Sequence, residues 1–165
     1  MIKYLKGDAI TALQQAQLNG NTNTYLIHCC NAKGSSKEQW GSGIAKSIKE
    51  RIPRAYEEYK WQLESCYLED RELYGVCPMG RISHGDNVIN LIAQENYGRD
   101  KRQVHYGYLA EALRRAATMF SSYDEERTLI VPYKMCCDRA GGDWDVVVEL
   151  LEVAFEGWTI EVYEL

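Results

Sequence analysis

Short apolar runs and longer amphipathic stretches alternate along the chain. Ile2 to Leu5 predicts a first strand, stopped by Lys6-Gly7-Asp8. A helix is expected over Ile10 to Leu18, closed by Gly20-Asn21, residue types that end helices. Tyr25 to Cys30 has the length and β-friendly composition of a buried strand. Gly43 to Lys49 reads as a helix through Ile44, Ala45 and Ile48, and Pro53 marks a break. Helix resumes over Arg54 to Leu63, with Tyr56, Tyr59 and Leu63 at helical spacing. Leu73 to Cys77 and Asn87 to Ile92 are candidate strands around a turn-rich Gly80 to Asp86. A polar connector, Gln94 to Gln103, precedes an amphipathic helix from Tyr106 to Phe120. Thr128 to Pro132 predicts a strand, Trp144 to Phe155 a helix, and Thr159 to Tyr163 a final strand.

This alternation predicts a three-layer α/β fold, a mixed and mostly parallel sheet flanked by helices. No repeat, low-complexity tract or linker interrupts it, so residues 1–165 are expected to form one domain. In such sheets ligands gather beyond the carboxyl ends of the strands. The connectors after Leu5, Cys30, Ala93 and Pro132 are therefore expected at one edge.

Composition narrows the function classes. A chain with 45% hydrophobic and 26% charged residues is ordinary for a globular protein, and a net charge of −5 argues against general nucleic-acid binding. No apolar stretch is long enough to span a bilayer, and MIKYLKGD is too short and polar for a signal peptide. A cytoplasmic location without membrane association is expected. There Cys29, Cys30, Cys66, Cys77, Cys136 and Cys137 should be reduced thiols, buried as small core residues. Neighbouring Cys29 and Cys30 face opposite sides of a strand and do not readily share a metal, even with His28 beside them; no metal or organic cofactor is expected.

The most informative stretch is LIHCCNAKGSSKEQWGSGIAKSI, Leu26 to Ile48. A strand leads through a connector with Gly34, Gly41 and Gly43 into a helix, with Asn31 where the strand stops. Glycines allow close backbone approach, and free N–H groups at a helix N-terminus favour an anion. Gly41-Ser42-Gly43 lacks the third glycine of a dinucleotide fingerprint and no Walker-type lysine follows, so a plain strand–loop–helix connection remains an alternative.

Six segments in order resemble the macro domain family, and within it the branch that processes ADP-ribose 1''-phosphate. They are Lys6 to Asp8, Leu26 to Ala32, Trp40 to Ala45, Asn96 to Arg102, Ala140 to Trp144 and the closing VYEL, so the resemblance covers nearly the whole chain. It implies a small-molecule partner, an ADP-ribose derivative, and removal of the terminal phosphate of ADP-ribose 1''-phosphate. Asp8, with Ala9, would hold the adenine, although an Asp there also caps a helix. Asn31 would hold the distal ribose, although it equally suits a turn. Gly41, Ser42, Gly43, Ile44 and Ala45 would wrap the distal ribose and phosphates.

The resemblance places a second phosphate loop at Lys134 to Gly142, where Cys136-Cys137-Asp138 replaces a glycine-cysteine-glycine run common in relatives. A positive φ at the replaced positions would be costly, less so for Asp than for Cys. Asp138 would repel a diphosphate unless Lys134 or Arg139 compensates, or it would orient water. Ser35 to Gln39 reads as an insertion, a small lid or a contact for a larger substrate.

His28, with Asn31 and Asp138, is the candidate catalytic set. His28 is an acid/base by residue type, or a histidine satisfied within the sheet. Arg99, Lys101 and Arg102, beside Asp100 and His105, are candidate phosphate ligands or a solvated face; His84 has no assigned role. An ADP-ribosyl hydrolase acting on modified macromolecules is an alternative. However, Gln94 and Ala140 stand where relatives with that activity carry a lysine and an aspartate. A non-catalytic module for ADP-ribose or another NAD-derived nucleotide is the third reading.

Overall fold

The computed structural model describes residues 1–33, 39–66, 77–96, 100–122 and 125–165. Its strands and helices alternate as the pattern requires: β1 (Ile2–Lys6), α1 (Ala9–Leu18), β2 (Thr24–Asn31), α2 (Gly43–Arg51), α3 (Pro53–Glu64), β3 (Ile82–Gly85), β4 (Val88–Gln94), α4 (Tyr106–Met119), β5 (Thr128–Pro132), α5 (Trp144–Ala154) and β6 (Thr159–Glu164). One six-stranded sheet has the order β1-β6-β5-β2-β4-β3. Every neighbouring pair is parallel except β3 with β4.

Both faces of the sheet are covered. Ile27, Ile89, Leu129 and Val131 pack with Leu109, Leu113 and Ala116 of α4 and Val147 and Leu151 of α5. On the opposite face Leu26, Ile92 and Ile130 pack with Ile10 and Leu13 of α1, Ile48 of α2 and Tyr59 and Leu63 of α3. Adjacent β2 residues thus enter different layers, which explains the continuous apolar run read in the sequence.

Local chemistry sets the helix ends. The Asp8 carboxylate caps α1 by accepting from the Ile10 amide at 3.0 Å, and Asp143 caps α5 by accepting from Asp145 at 2.9 Å. Pro53 occupies the start of α3, where its missing N–H has no helical partner to lose.

The stretch Gly80 to Asp86 is not only turn, as its composition suggested, because Ile82–Gly85 forms β3. Its inward residues are Ser83 and Gly85, so no apolar alternation advertises the strand. Space enforces the glycine: a Cβ at Gly85 would lie 2.9 Å from the Arg54 carbonyl oxygen at the start of α3. Asp86 and Asn87, at φ 49° and 63°, make the two-residue turn into β4. The candidate strand Leu73 to Cys77 falls, apart from Cys77, outside the described residues.

No helix among the described residues is long and apolar enough to cross a membrane. Asn87 also donates through Nδ2 to the carbonyls of Thr22 and Thr24, both at 3.0 Å. Asn87→Ala loses these bonds and puts at φ 63° a residue that tolerates the left-handed region less well than Asn. Urea denaturation is expected to show a loss of about 1–3 kcal/mol, with Asn87→Gly losing less because only the hydrogen bonds go.

Candidate active-site cleft

Beyond the carboxyl ends of β1, β2, β4 and β5 lies a cleft of about 1240 Å³. All fourteen residues singled out in the sequence line it: Asp8, Ala9, His28, Asn31, Gly41, Ser42, Gly43, Ile44, Ala45, Lys134, Cys136, Cys137, Asp138 and Arg139. Their connectors are brought together by the parallel sheet, as the alternation implied.

On one wall, α2 begins at Gly43, and its N-cap Ser42 makes no side-chain cap bond. The first-turn amides are left without that partner. Ser42 instead accepts from Arg139 Nη1 at 2.5 Å, which ties this loop to the one after β5. Asp8 is held by Arg51 of α2, by Thr11 and by the Ile10 amide. Burial pushes its carboxyl up, but these partners outweigh burial and leave it below the usual carboxylate range.

Asn31 sits at a bulge, where the pairing with β4 slips between Cys30 and Asn31. Its Oδ1 accepts from the Lys33 amide at 3.1 Å, and its Nδ2 donates to Gln39 Oε1 at 3.3 Å. The Tyr59 hydroxyl donates to the Asn31 carbonyl at 3.0 Å. Gln39 is fixed in turn by its amide donating to Tyr56 and by Lys49 donating to its carbonyl. Trp40 follows at φ 61°, its ring tilted against those of Tyr59 and Tyr56 with centroids 4.8 and 5.1 Å away. The remainder of the Ser35 to Gln39 insertion lies outside the described residues.

His28 lies in the cleft floor, only 1% exposed, with its ring edge-on to Trp40. Its Nε2 is 2.7 Å from Asn90 Oδ1. The Asn90 amide nitrogen donates to the Ala55 carbonyl at 2.8 Å and to Ser83 Oγ at 2.9 Å, which turns Oδ1 towards the histidine. This network assigns the ring proton to Nε2. Burial lowers the His28 pKa to about 4, with Asn90 opposing the shift, so the ring is neutral at pH 7.

The last loop corrects one expectation outright: Cys29 and Cys136 are joined in a disulfide, not held as reduced thiols. Cys30, Cys66, Cys77 and Cys137 carry free thiols. Cys136 has φ 66°, so the feared positive φ is real there, and Lys134 shares it at 57°; Asp138 does not. The loop is closed by the Gly142 amide, which donates to the Cys136 carbonyl at 2.8 Å, and the Gln103 amide donates to Ala140 at 2.8 Å. Cys137 donates its thiol to the Met135 carbonyl, and burial, with Asp143 nearby, pushes its pKa up to about 11.

Of the third connector, Gln94, Asn96 and Gln103 line the cleft, whereas Asp100, Lys101, Arg102 and His105 do not. Lys101 and His105 both meet Glu95, at 3.5 and 3.3 Å, and Arg102 lies over the Tyr106 ring. Asp100 accepts from Gln103 Nε2. Arg99 is outside the described residues, and His84 sits on β3 against Phe120. Gln39, the end of the insertion read as a lid or substrate contact, lines the cleft, as do Trp40, Gln103 and Tyr133, to which the sequence reading gave no individual role. An isolated tryptophan inside a glycine-rich polar connector was the one available signal.

Two measurements test this geometry. His28 has a folded pKa of about 4 against its ordinary 6.5, so the unfolded chain binds the extra proton between these values. Stability should therefore fall as pH drops from 6.5 to 4, by up to about 3 kcal/mol more in the wild type than in His28→Gln, read from Tm against pH. A Cβ at residue 142 would lie 2.5 Å from the Cys136 oxygen. Gly142→Ala is accordingly expected to lower stability by about 1–3 kcal/mol in denaturant melts.

No protein-family model matches the chain. It is 28% identical over 131 residues to a Saccharomyces cerevisiae protein called ADP-ribose 1''-phosphate phosphatase, covering 77% of this chain and 66% of that one. The match thus spans just under two thirds of that relative. Among solved structures, the macrodomain of Thermus aquaticus DarG superposes with a TM-score of 0.66 at 18% identity, over 100% of this chain and 99% of that one. Thermosipho africanus DarTG in complex with ADP-ribose gives 0.62 at 16%, over 99% and 42%. The six-stranded mixed sheet, its helical layers and these superpositions establish that the chain has the macrodomain fold.

Proposed function

We propose that the cleft binds an ADP-ribose derivative and hydrolyses the terminal phosphate of ADP-ribose 1''-phosphate. The observation that carries the reading is the convergence of Asp8, Asn31, the Gly41 to Ala45 turn and the Lys134 to Arg139 loop on one cleft. The name of the yeast relative agrees with it. The protein acts in this reading as one cytoplasmic domain without a metal or organic cofactor.

Asp8 takes the adenine amino group, with Ala9 beside it, and Asn31 takes the distal ribose. Amides at the start of α2 face the phosphates, where a helix N-terminus favours negative charge. Lys134 and Arg139 supply the neutralising charge that phosphoryl transfer demands. Water attacks phosphorus, the bond from phosphorus to the sugar oxygen breaks, and ADP-ribose and inorganic phosphate leave. Asp138 orients that water, takes its proton and passes it on to the departing sugar oxygen, which restores the carboxylate. His28, neutral at pH 7, is not a ready proton donor and instead shapes the floor beneath the reacting group.

Hydrolysis of an ADP-ribosyl link through a lysine and an aspartate is disfavoured. Gln94 and Ala140 line the cleft at the matching positions and offer neither a nucleophile nor a base. A capture module without turnover is favoured by one observation, the depressed basicity of His28.

Phosphate release from ADP-ribose 1''-phosphate, measured alongside calorimetric binding of ADP-ribose, decides among these. Turnover that falls about 10²- to 10⁴-fold in Asp138→Asn with ADP-ribose affinity retained supports the phosphatase. Binding with no release in the wild type overturns the activity in favour of capture. Binding of neither nucleotide overturns the ligand itself.

A further inference from the structure

The bond between Cys29 and Cys136 lies in the wall of the cleft. It connects residues 107 apart in sequence, one on the central strand β2 and the other in the loop that follows β5, and both line the ligand space. Cys136 is moreover a residue with a β-carbon at φ 66°. Such a conformation persists where its surroundings over-determine it. Three restraints do so here: the link to Cys29, the hydrogen bond from the Gly142 amide to the Cys136 carbonyl at 2.8 Å, and the turn closed by the Cys137 amide on the Lys134 carbonyl at 2.9 Å.

We propose that Cys29 and Cys136 form a reversible thiol–disulfide site that sets the conformation of the last loop, with a dithiol as the reagent that opens it. The oxidised form is the one that grips the anionic ligand; that part rests on the ADP-ribose reading above. With the crosslink gone, two backbone hydrogen bonds, from Gly142 to Cys136 and from Cys137 to Lys134, are left to hold residue 136 at positive φ. The backbone between Lys134 and Arg139 is then free to leave the arrangement that lines the cleft. A disulfide in a reducing compartment is typically transient and redox-sensing, which suits a bond placed at a ligand site.

The exchange balances without a further reagent. A thiolate of the dithiol attacks one sulfur of the cystine, and the other sulfur leaves as a thiolate and takes a proton. The second thiol of the reagent then displaces the protein from the mixed disulfide. Two electrons and two protons pass to the cystine, and the reagent ends as its own disulfide. The neighbouring thiols do not compete. Cys137 is bonded to the Met135 carbonyl and Cys30 packs in the layer on the other face of the sheet, so the reducing thiol comes from outside.

The test uses the full chain, prepared oxidised and then treated with dithiothreitol. A peptide map without reductant should contain the Cys29–Cys136 pair. On reduction, amide hydrogen exchange across residues 133–142 should rise about tenfold while β2 and β4 stay protected, and the Kd for ADP-ribose should rise about tenfold. Cys29→Ser should sit at the reduced values with or without dithiothreitol. Absence of the linked pair, or exchange that ignores reduction, overturns the proposal. Equal ADP-ribose affinity in both forms overturns its coupling to the ligand. If exchange responds but ADP-ribose binds neither form, the loop switch stands and the ligand reading fails.

Discussion

Everything at the cleft depends on where β2 is placed. It pairs in parallel with β4 on one side and β5 on the other, and both its faces are covered by helices. A strand so enclosed cannot shift by one residue without exchanging its two faces. That would send Leu26 and Cys30 into the α4 and α5 layer and Ile27 into the other. The register therefore fixes His28 opposite Asn90 and brings Asn31 to the rim at the bulge. The same parallel geometry aligns the ends of β1, β4 and β5, so connectors remote in sequence share one edge.

Asn90, buried beside this strand, ties several polar groups into one hydrogen-bonded set. Asn90 is fully buried, yet its amide is used on both sides, towards His28 and towards Ala55 and Ser83. An unsatisfied member would cost roughly 1–3 kcal/mol, so the set rigidifies the floor of the cleft. Burial of the same floor is what keeps the imidazole uncharged. A neutral, fixed ring under an anion's site is a wall more readily than a proton shuttle, which is why the proposed chemistry moves to Asp138 at the exposed rim.

The layers and the edge on which ligands gather were legible because they follow from periodicity. Ile10 and Leu13, or Leu109, Leu113 and Ala116, fall at helical spacing, and the run Tyr25 to Cys30 could only be interior. What stayed illegible depended on contacts between distant residues. Nothing local announces that Cys29 meets Cys136 across 107 positions, and the compartment argument pointed to thiols. β3 escaped because its inward positions are Ser83, which accepts from Asn90, and Gly85, required by the nearness of the Arg54 carbonyl, neither of them hydrophobic. The positive φ at Cys136 was foreseen as a hazard of losing glycine, whereas those at Trp40 and Lys134 carried no sequence mark.

The bond from Arg139 to Ser42 joins the two walls of the cleft through side chains alone. A guanidinium that bridges a hydroxyl can be drawn away by a phosphate, because the anion offers it a stronger, bidentate partner. In the proposed reading, entry of the phosphate-bearing ligand trades one tie for another. Part of the anion's attraction, on the order of 1–3 kcal/mol, is consumed in releasing Ser42. The cleft is in this sense latched, and a neutral nucleoside that slips in has no key to the latch.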